Sequence, residues 1–511
     1  MKVSRREAMR VAGMSAASIA LTADLGCTQT RPEPRLLKSL TQLPLRFTVP
    51  LPIPTILKPA SVSADADHYE MTARPANLQI LPGLKTGIWG YEGQFPGPTI
   101  EARTGRRVSL RLRNRLPVPL VHHLHGGHTP AESDGYPTDL VMPANGFTSS
   151  HRHDSRAITA IGEREYVYPN LQRPATLWYH DHRMDFTGAQ VWRGMAGLYI
   201  LRDDPEDRLP LPRDRKEVPL VICDRSFAAD GSLLYPSLDK DLRTVPGVEP
   251  DYMGGVLGDV ILVNGAAWPR LDVSNTRYRF RILNASNSRR YDLALDPGPR
   301  GGPAFVQIGS DGGLLEAPVN RRTIRIAPAE RFDVIVDFSG FPVGSVVVLR
   351  NQESAGSTDS VMQFHITRDE KDQSRIPARL SDLAPPDLGA VAMTRDFDFR
   401  YQRSARVWTI NGKTFDPARM DAQPRLGSTE IWRLRSDFNH PVHLHLAQFR
   451  VLSHGGPPGT SDAGWKDTLD LEPGEAAGIL VHFTDYRGRY VFHCHNLEHE
   501  DMMMMGNFEV V

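Results

Sequence analysis

Four segments of this chain place two histidines one residue apart: His123-Leu124-His125, His180-Asp181-His182, His443-Leu444-His445 and His493-Cys494-His495. On a β-strand, residues i and i+2 share one face about 6–7 Å apart, so each pair can serve two neighbouring metal ions. A fifth pair, His151 and His153, lies in a Ser- and charge-rich stretch and reads as solvated. Cys494 sits between two histidines and must project from the opposite strand face. There it can join His440, His499 and a weak axial thioether in the trigonal site that suits copper in electron transfer. His493 and His495 then face a second metal cluster, and an electron has a short covalent path between the two sites. No disulfide is expected at Cys494. The run Met502-Met503-Met504-Met505 offers the thioether, although methionines near a C-terminal strand also simply fill core gaps.

These side chains need strands to hold them. Val108, Leu110 and Leu112 alternate with Ser109, Arg111 and Arg113, and Tyr278, Phe280 and Ile282 alternate with Arg277, Arg279 and Arg281. Period-2 alternation predicts half-buried antiparallel strands, as in sandwiches. No long amphipathic helix is evident. The pattern recurs three times, from Trp89 to Asn114, Ile261 to Asn284 and Trp408 to Ser436, each with a strand, a Gly turn, a Pro and a strand with alternating Arg. Three homologous β-sandwich domains follow, near 61–200, 217–368 and 395–511, joined by charged or Pro-rich linkers at 201–216 and 369–394. The first copy continues into His123-Leu124-His125, and the third into His440-Pro441-Val442-His443-Leu444-His445. The middle copy carries Ala285-Ser286-Asn287-Ser288 instead, so the middle domain is expected to be a spacer without metal ligands. The site is expected where the first and third domains meet.

Composition sets the outer bounds. The chain has 511 residues, 60 Lys+Arg against 60 Asp+Glu, and 40% hydrophobic residues. That composition excludes a disordered chain, and its balanced charge excludes a polyanion-binding role. Gly (42) and Pro (41) suit short strands and turns, and three cysteines exclude a disulfide scaffold. Ser4-Arg5-Arg6 ahead of a short apolar run to Leu25 reads as a twin-arginine export signal over 1–27; Leu25-Gly26-Cys27 is compatible with lipid attachment at Cys27, although Asp24 is a poor neighbour for it, and equally with a free cysteine removed with the signal. An exported, periplasmic or extracellular protein is expected. No other run approaches about 18 apolar residues, so no membrane-spanning helix is expected. Residues 28–60 are Pro-rich and should wrap a surface. Cys223 reads as a buried free thiol.

The segments HLHG, WYHDH, HPVHLHL and HCHNLEHEDMMM resemble the four copper-binding signatures of multicopper oxidases of the laccase type. FPGPTIEA (95–102), HLHGGHTPAESDGYP (123–137), DGSLLYPS (230–237), VQIGSDGG (306–313), APAERFDVIVDF (327–338) and GWKDT (464–468) are similar to the branch of spore-coat laccase, bilirubin oxidase and phenoxazinone synthase. The resemblance spans essentially the whole chain after the leader. It implies an all-β fold of three cupredoxin-like Greek-key sandwiches and four copper ions, one type 1, one type 2 and two type 3. Carried over position by position, it gives the type 1 copper His440, Cys494, His499 and Met504, ten residues after the cysteine. It gives type 2 His123 and His443, and the type 3 pair His125, His180, His182, His445, His493 and His495. Asp134 and Glu500 match the branch's acidic residues near the trinuclear site, where a carboxyl group can relay protons. Glu498 and Asp501 are weaker candidates.

The expected activity is one-electron oxidation of a phenolic, aminophenolic or bilirubin-like donor coupled to four-electron reduction of dioxygen to water, by a monomer. One rival is a metallo-oxidase of cuprous or ferrous ions in copper tolerance. It calls for a Met- or carboxylate-rich surface, and the chain has no clear Met-rich insert. Another is a copper-free cupredoxin scaffold, which lost ligands would signal. The short link from Ser453 to Gly464 suggests a type 1 site open to bulky organics.

Overall fold

The computed structural model describes residues 32–147, 154–383 and 388–511. Arg5, Arg6, Cys27, His151 and His153, and with them the export and lipidation readings, lie outside the described residues. Among the described residues the fold is nearly all β, and the longest helix, Thr187–Trp192, has 6 residues. The three Arg-bearing strands, Arg107–Asn114, Arg277–Asn284 and Thr429–Ser436, occupy equivalent places. Each lies between a parallel partner (Ala66–Leu78, Glu217–Phe227 or Val391–Gln402) and an antiparallel one (Glu163–Tyr168, Arg331–Asp337 or Ala476–His482). The sheets are therefore mixed rather than purely antiparallel, because the first strand of each repeat is joined to its Arg strand by a crossover and not by a hairpin.

Arg279 and Arg281 differ from the half-buried expectation. Both are buried, in an ion-pair cage with Glu206, Glu217 and Asp333. The polar face of their sheet is covered by neighbouring elements, and buried charge is tolerated there because each guanidinium meets carboxylates. Glu206 comes from the one-turn helix Asp204–Arg208, inside the segment read as a linker. The Pro-rich N-terminal stretch pairs Arg35–Leu37 in parallel with Val256–Gly258 and makes single bridges at Pro50 and Ile56. Cys223 is buried and free.

Two four-stranded sheets position the histidines. In one, Gly97–Arg103, Ala196–Arg202, Ala175–Asp181 and His122–His125 are neighbours in that order. In the other the order is Thr468–Leu471, His440–Leu444, Gly488–Cys494 and Met505–Val510. Antiparallel register sets His123 opposite His180 and His443 opposite His493. The repeat thus becomes a shared geometry: in each sheet, a strand carrying a His-x-His motif meets another across the ladder.

Candidate metal centre

Strand ends bring the eight paired histidines into one buried cluster in which every one of them is at most 1% exposed. His123 stacks on His445 with ring centroids 3.8 Å apart, and His125 on His443 at 3.6 Å, so the two sheets meet ring to ring. His182, His445 and His493 converge: Nε2 of His493 is 3.2 Å from Nε2 of His182 and 3.3 Å from Nε2 of His445. His125, His180 and His495 form a second triangle with centroids 5.1–5.8 Å apart. His123 and His443, at 5.8 Å, face each other beside both. Like-charged rings this close and this dry disfavour protonation. Burial drives down the pKa of nine of the ten candidate ligand histidines, to about 3 for His180 and about 4 for His182. Neutral imidazole is the metal-binding form.

Hydrogen bonds choose which ring nitrogen faces inward. Nδ1 of His123 donates to the Asp134 carbonyl oxygen at 2.6 Å, Nδ1 of His180 to that of Asp181 at 2.8 Å, and Nδ1 of His443 to that of Asp467 at 2.8 Å. Their Nε2 atoms are buried without a partner. His125 is turned the other way: Nε2 meets the Asp467 carboxylate at 3.0 Å and Nδ1 is left without a partner. Buried ring nitrogens are ordinarily satisfied. Several unpaired lone pairs aimed into one space fit metal ions, whose ligand histidines characteristically bond outward through their other nitrogen.

The second group lies on the other face of the strand Gly488–Cys494. His440 Nδ1 is 3.2 Å from Cys494 Sγ, His499 Nδ1 is 3.5 Å from it, and the two Nδ1 atoms are 3.2 Å apart. The Asn496 N–H points at Sγ from 3.4 Å, as suits a thiolate. Met504 is fully buried in the same core cluster as Cys494, and its backbone bonds to Cys494 and His499. His499 and Glu500 are adjacent on the short helix Leu497–Asp501, capped by Asn496, so one faces this group and the other the histidine cluster. Glu500 lies 3.4 Å from His182 Nδ1 and 3.1 Å from His493 Nδ1. Burial would raise its pKa, but those two rings outweigh burial and hold it below the usual carboxylate range. Asp134 ends the helix Ala131–Asp134 and accepts from His445 Nδ1 at 2.8 Å; burial pushes its carboxyl well up. The eleven histidine and cysteine ligands expected from the resemblance, and both acids, thus fall in two adjoining groups, and Met504 shares the core cluster of Cys494. Glu498 instead bonds Tyr235 and Asn287, and Asp501 caps the backbone of Thr187 and Gly188.

Sequence reasoning did not single out Asp467, Arg331 or Asn496. Asp467 holds His125 by its side chain and His443 by its carbonyl, and is itself gripped at both carboxylate oxygens by Arg331. The resemblance of GWKDT, APAERFDVIVDF and HCHNLEHEDMMM to the family was their only trace. The loop from Ser453 to Gly464 contacts Ser310, Arg321 and Glu475 among others, and what lies over His499 is the segment at 253–254 together with Trp408.

Models of multicopper oxidase domains match residues 72–206 and 390–511. The chain is 38% identical to a laccase of Bacillus subtilis (strain 168) over 522 residues, covering 91% of this chain and 98% of that one. It is 33% identical to the bilirubin oxidase of Albifimbria verrucaria, covering 97% and 88% of the two chains. The crystal structure of a laccase from Pediococcus acidilactici superposes with a TM-score of 0.79 at 31% identity, covering 93% and 96%. With similarity over nearly its whole length and a copper-suited cluster at its centre, the chain belongs to the multicopper oxidase family and is a laccase-like oxidase built on cupredoxin-like domains.

Proposed function

We propose that the enzyme takes electrons singly from a phenolic, aminophenolic or bilirubin-like donor at a type 1 copper and reduces dioxygen to water at a trinuclear cluster, with four coppers in all. His440, Cys494, His499 and Met504 would hold the first. His123 and His443 would hold the type 2 ion, and His125, His180, His182, His445, His493 and His495 the type 3 pair. The observation that carries this reading is the set of buried, unpartnered ring nitrogens converging beside the strand that also bears Cys494. Copper in these positions supplies one-electron redox chemistry and a place for dioxygen to be reduced. The chain supplies the rest. The backbone between Cys494 and its flanking histidines links the two groups covalently. Asn496 steadies the thiolate with its N–H. Asp134 and Glu500 stand against ring nitrogens of the cluster, in position to hand on the protons that water formation consumes. Domain boundaries near 61–200, 217–368 and 395–511, export through the N-terminal segment, attachment at Cys27 and a monomeric state belong to the same proposal. No helix among the described residues is long and apolar enough to cross a membrane.

Dioxygen uptake by protein carrying a measured complement of copper, with an aminophenol, bilirubin and cuprous ion as parallel donors, tests the reading. Uptake with the organics supports it. Uptake with cuprous ion alone moves the function to metal oxidation, and silence with every donor at four coppers per chain refutes the oxidase proposal. A Glu500→Gln variant with unchanged turnover at every pH removes Glu500 from the proton path.

A further inference from the structure

On the donor reading above, an outside donor reaches the cysteine site by way of its rings, His440 and His499, and both are fully buried. The outer nitrogen of His499, Nε2, lies 3.2 Å from the Gly254 carbonyl oxygen, and Asn496 Nδ2 donates to the same oxygen at 3.1 Å. Trp408 stacks on the ring at 3.6 Å and donates through Nε1 to the Met253 carbonyl oxygen. The cover over His499 is therefore the backbone at Met253 and Gly254. That backbone is itself covered. A methyl group added at Gly254 would sit 2.4 Å from the Pro32 carbonyl oxygen and 2.5 Å from the Glu33 carbonyl carbon, so the N-terminal segment lies directly on its outer side. Pro32–Glu33, Gly254 and His499 thus touch in turn, and Glu33 is exposed.

The N-terminal segment is fastened there by backbone and side-chain bonds. The Arg35 N–H donates to the Gly255 carbonyl at 2.9 Å, and Arg35–Leu37 runs in parallel register with Val256–Gly258. Ser39 donates to Asp259 through both N (2.8 Å) and Oγ (2.5 Å), and its Oγ accepts from the Phe227 N–H at 3.0 Å. Outward it presents exposed Leu36 and Leu40, and Leu37 alone packs inward, against the cluster of Trp192, Val248 and Val256. A short segment held by one partly buried side chain and a few hydrogen bonds opens at lower free-energy cost than a core strand.

We propose that residues 32–40 form a strap that sets the size of donor able to approach His499: closed, it admits electron transfer only from compact donors at the covered edge, and open, it admits bulky ones. The proposal rests on the donor reading above. The variant Arg35→Pro/Ser39→Pro cannot make the Gly255 or Asp259 bonds. At the net worth of such bonds, its open population should rise about tenfold or more. The ratio of kcat/KM for bilirubin to that for 4-aminophenol should rise by about the same factor, with copper content and visible absorption unchanged. Ser39→Ala, which keeps the backbone intact, should shift the ratio the same way by less and serves if the double variant misfolds. An unchanged ratio, or an equal gain with both donors, overturns the strap. If the unaltered protein oxidises neither organic donor, the donor reading has failed and the strap falls with it; if it oxidises both and the ratio stays fixed, the strap alone has failed.

Discussion

Asp467→Asn tests the second layer of the histidine cluster. The carboxylate accepts from His125 Nε2, from Thr468 Oγ1 at 3.0 Å and from both Arg331 terminal nitrogens. An asparagine has one acceptor oxygen for these donors. If it faces His125, its NH2 group confronts the Arg331 guanidinium. If it faces Arg331, the NH2 group confronts His125 and drives that ring's proton to Nδ1, the nitrogen that otherwise stands free toward the cluster. Loss of an outer hydrogen bond of this kind lowers metal affinity about 10–100-fold, or roughly 1.4–2.7 kcal/mol. The metal-free protein suffers too: Arg331 keeps Asp311, 3.6 Å away, as its ion-pair partner, with Glu330 acting on it from further off. Removing one member of a buried pair costs about 3–5 kcal/mol, and the remaining carboxylate places this case near the lower end. Copper content after dialysis against graded chelator, with electron paramagnetic resonance to separate the cysteine-bound ion from the rest, reads the first effect, and thermal unfolding of the metal-free protein reads the second. Copper should be lost from the histidine cluster while the Cys494 site keeps its signal. A variant that holds all its copper at wild-type chelator concentrations and unfolds at the wild-type temperature would refute the reasoning.

Three further outcomes are expected. Cys494→Ser should abolish the visible absorption of the cysteine site and electron delivery while the histidine cluster still binds copper, as metal analysis and spectroscopy will show. Glu206 is buried, but Arg279 and Arg281 outweigh burial and hold its pKa at about 2 against an ordinary 4.5. Its contribution, about 3 kcal/mol, is present above pH 4.5 and lost as pH falls toward 2, so Glu206→Gln should destabilise at pH 7 and flatten the acid limb of an unfolding titration. His454 is raised to about 9 by its hydrogen bond to Asp462, against burial, with Glu475 adding to it. That contribution is complete below pH 6.5 and fades as pH rises through 9, and His454→Gln should remove the corresponding decline in unfolding temperature.

What could be read in advance follows from how far apart in sequence the interacting groups lie. His-x-His pairs are visible because strand geometry alone puts i and i+2 on one face, and Cys494 could be sent to the other face by the same rule. The threefold repeat then assigned His123, His443 and their neighbours to related strands. Asp467 and Arg331 obey no such local rule: they are 136 residues apart, and meet only because of how the middle β-layers pack on the histidine sheets. Arg279 and Arg281 looked like a half-exposed strand face because alternation records which residues share a side, not whether that side meets water or another element. The middle domain was read as a spacer for the same reason. It has no candidate ligand, yet Arg331 clamps the carboxylate that orients His125, while Asn287 and Tyr235 bind Glu498 one residue before His499. Counting ligand-type residues finds the atoms that would touch a metal; the groups that fix their tautomer and direction are ordinary Arg, Asp and Asn, whose role is set by position alone.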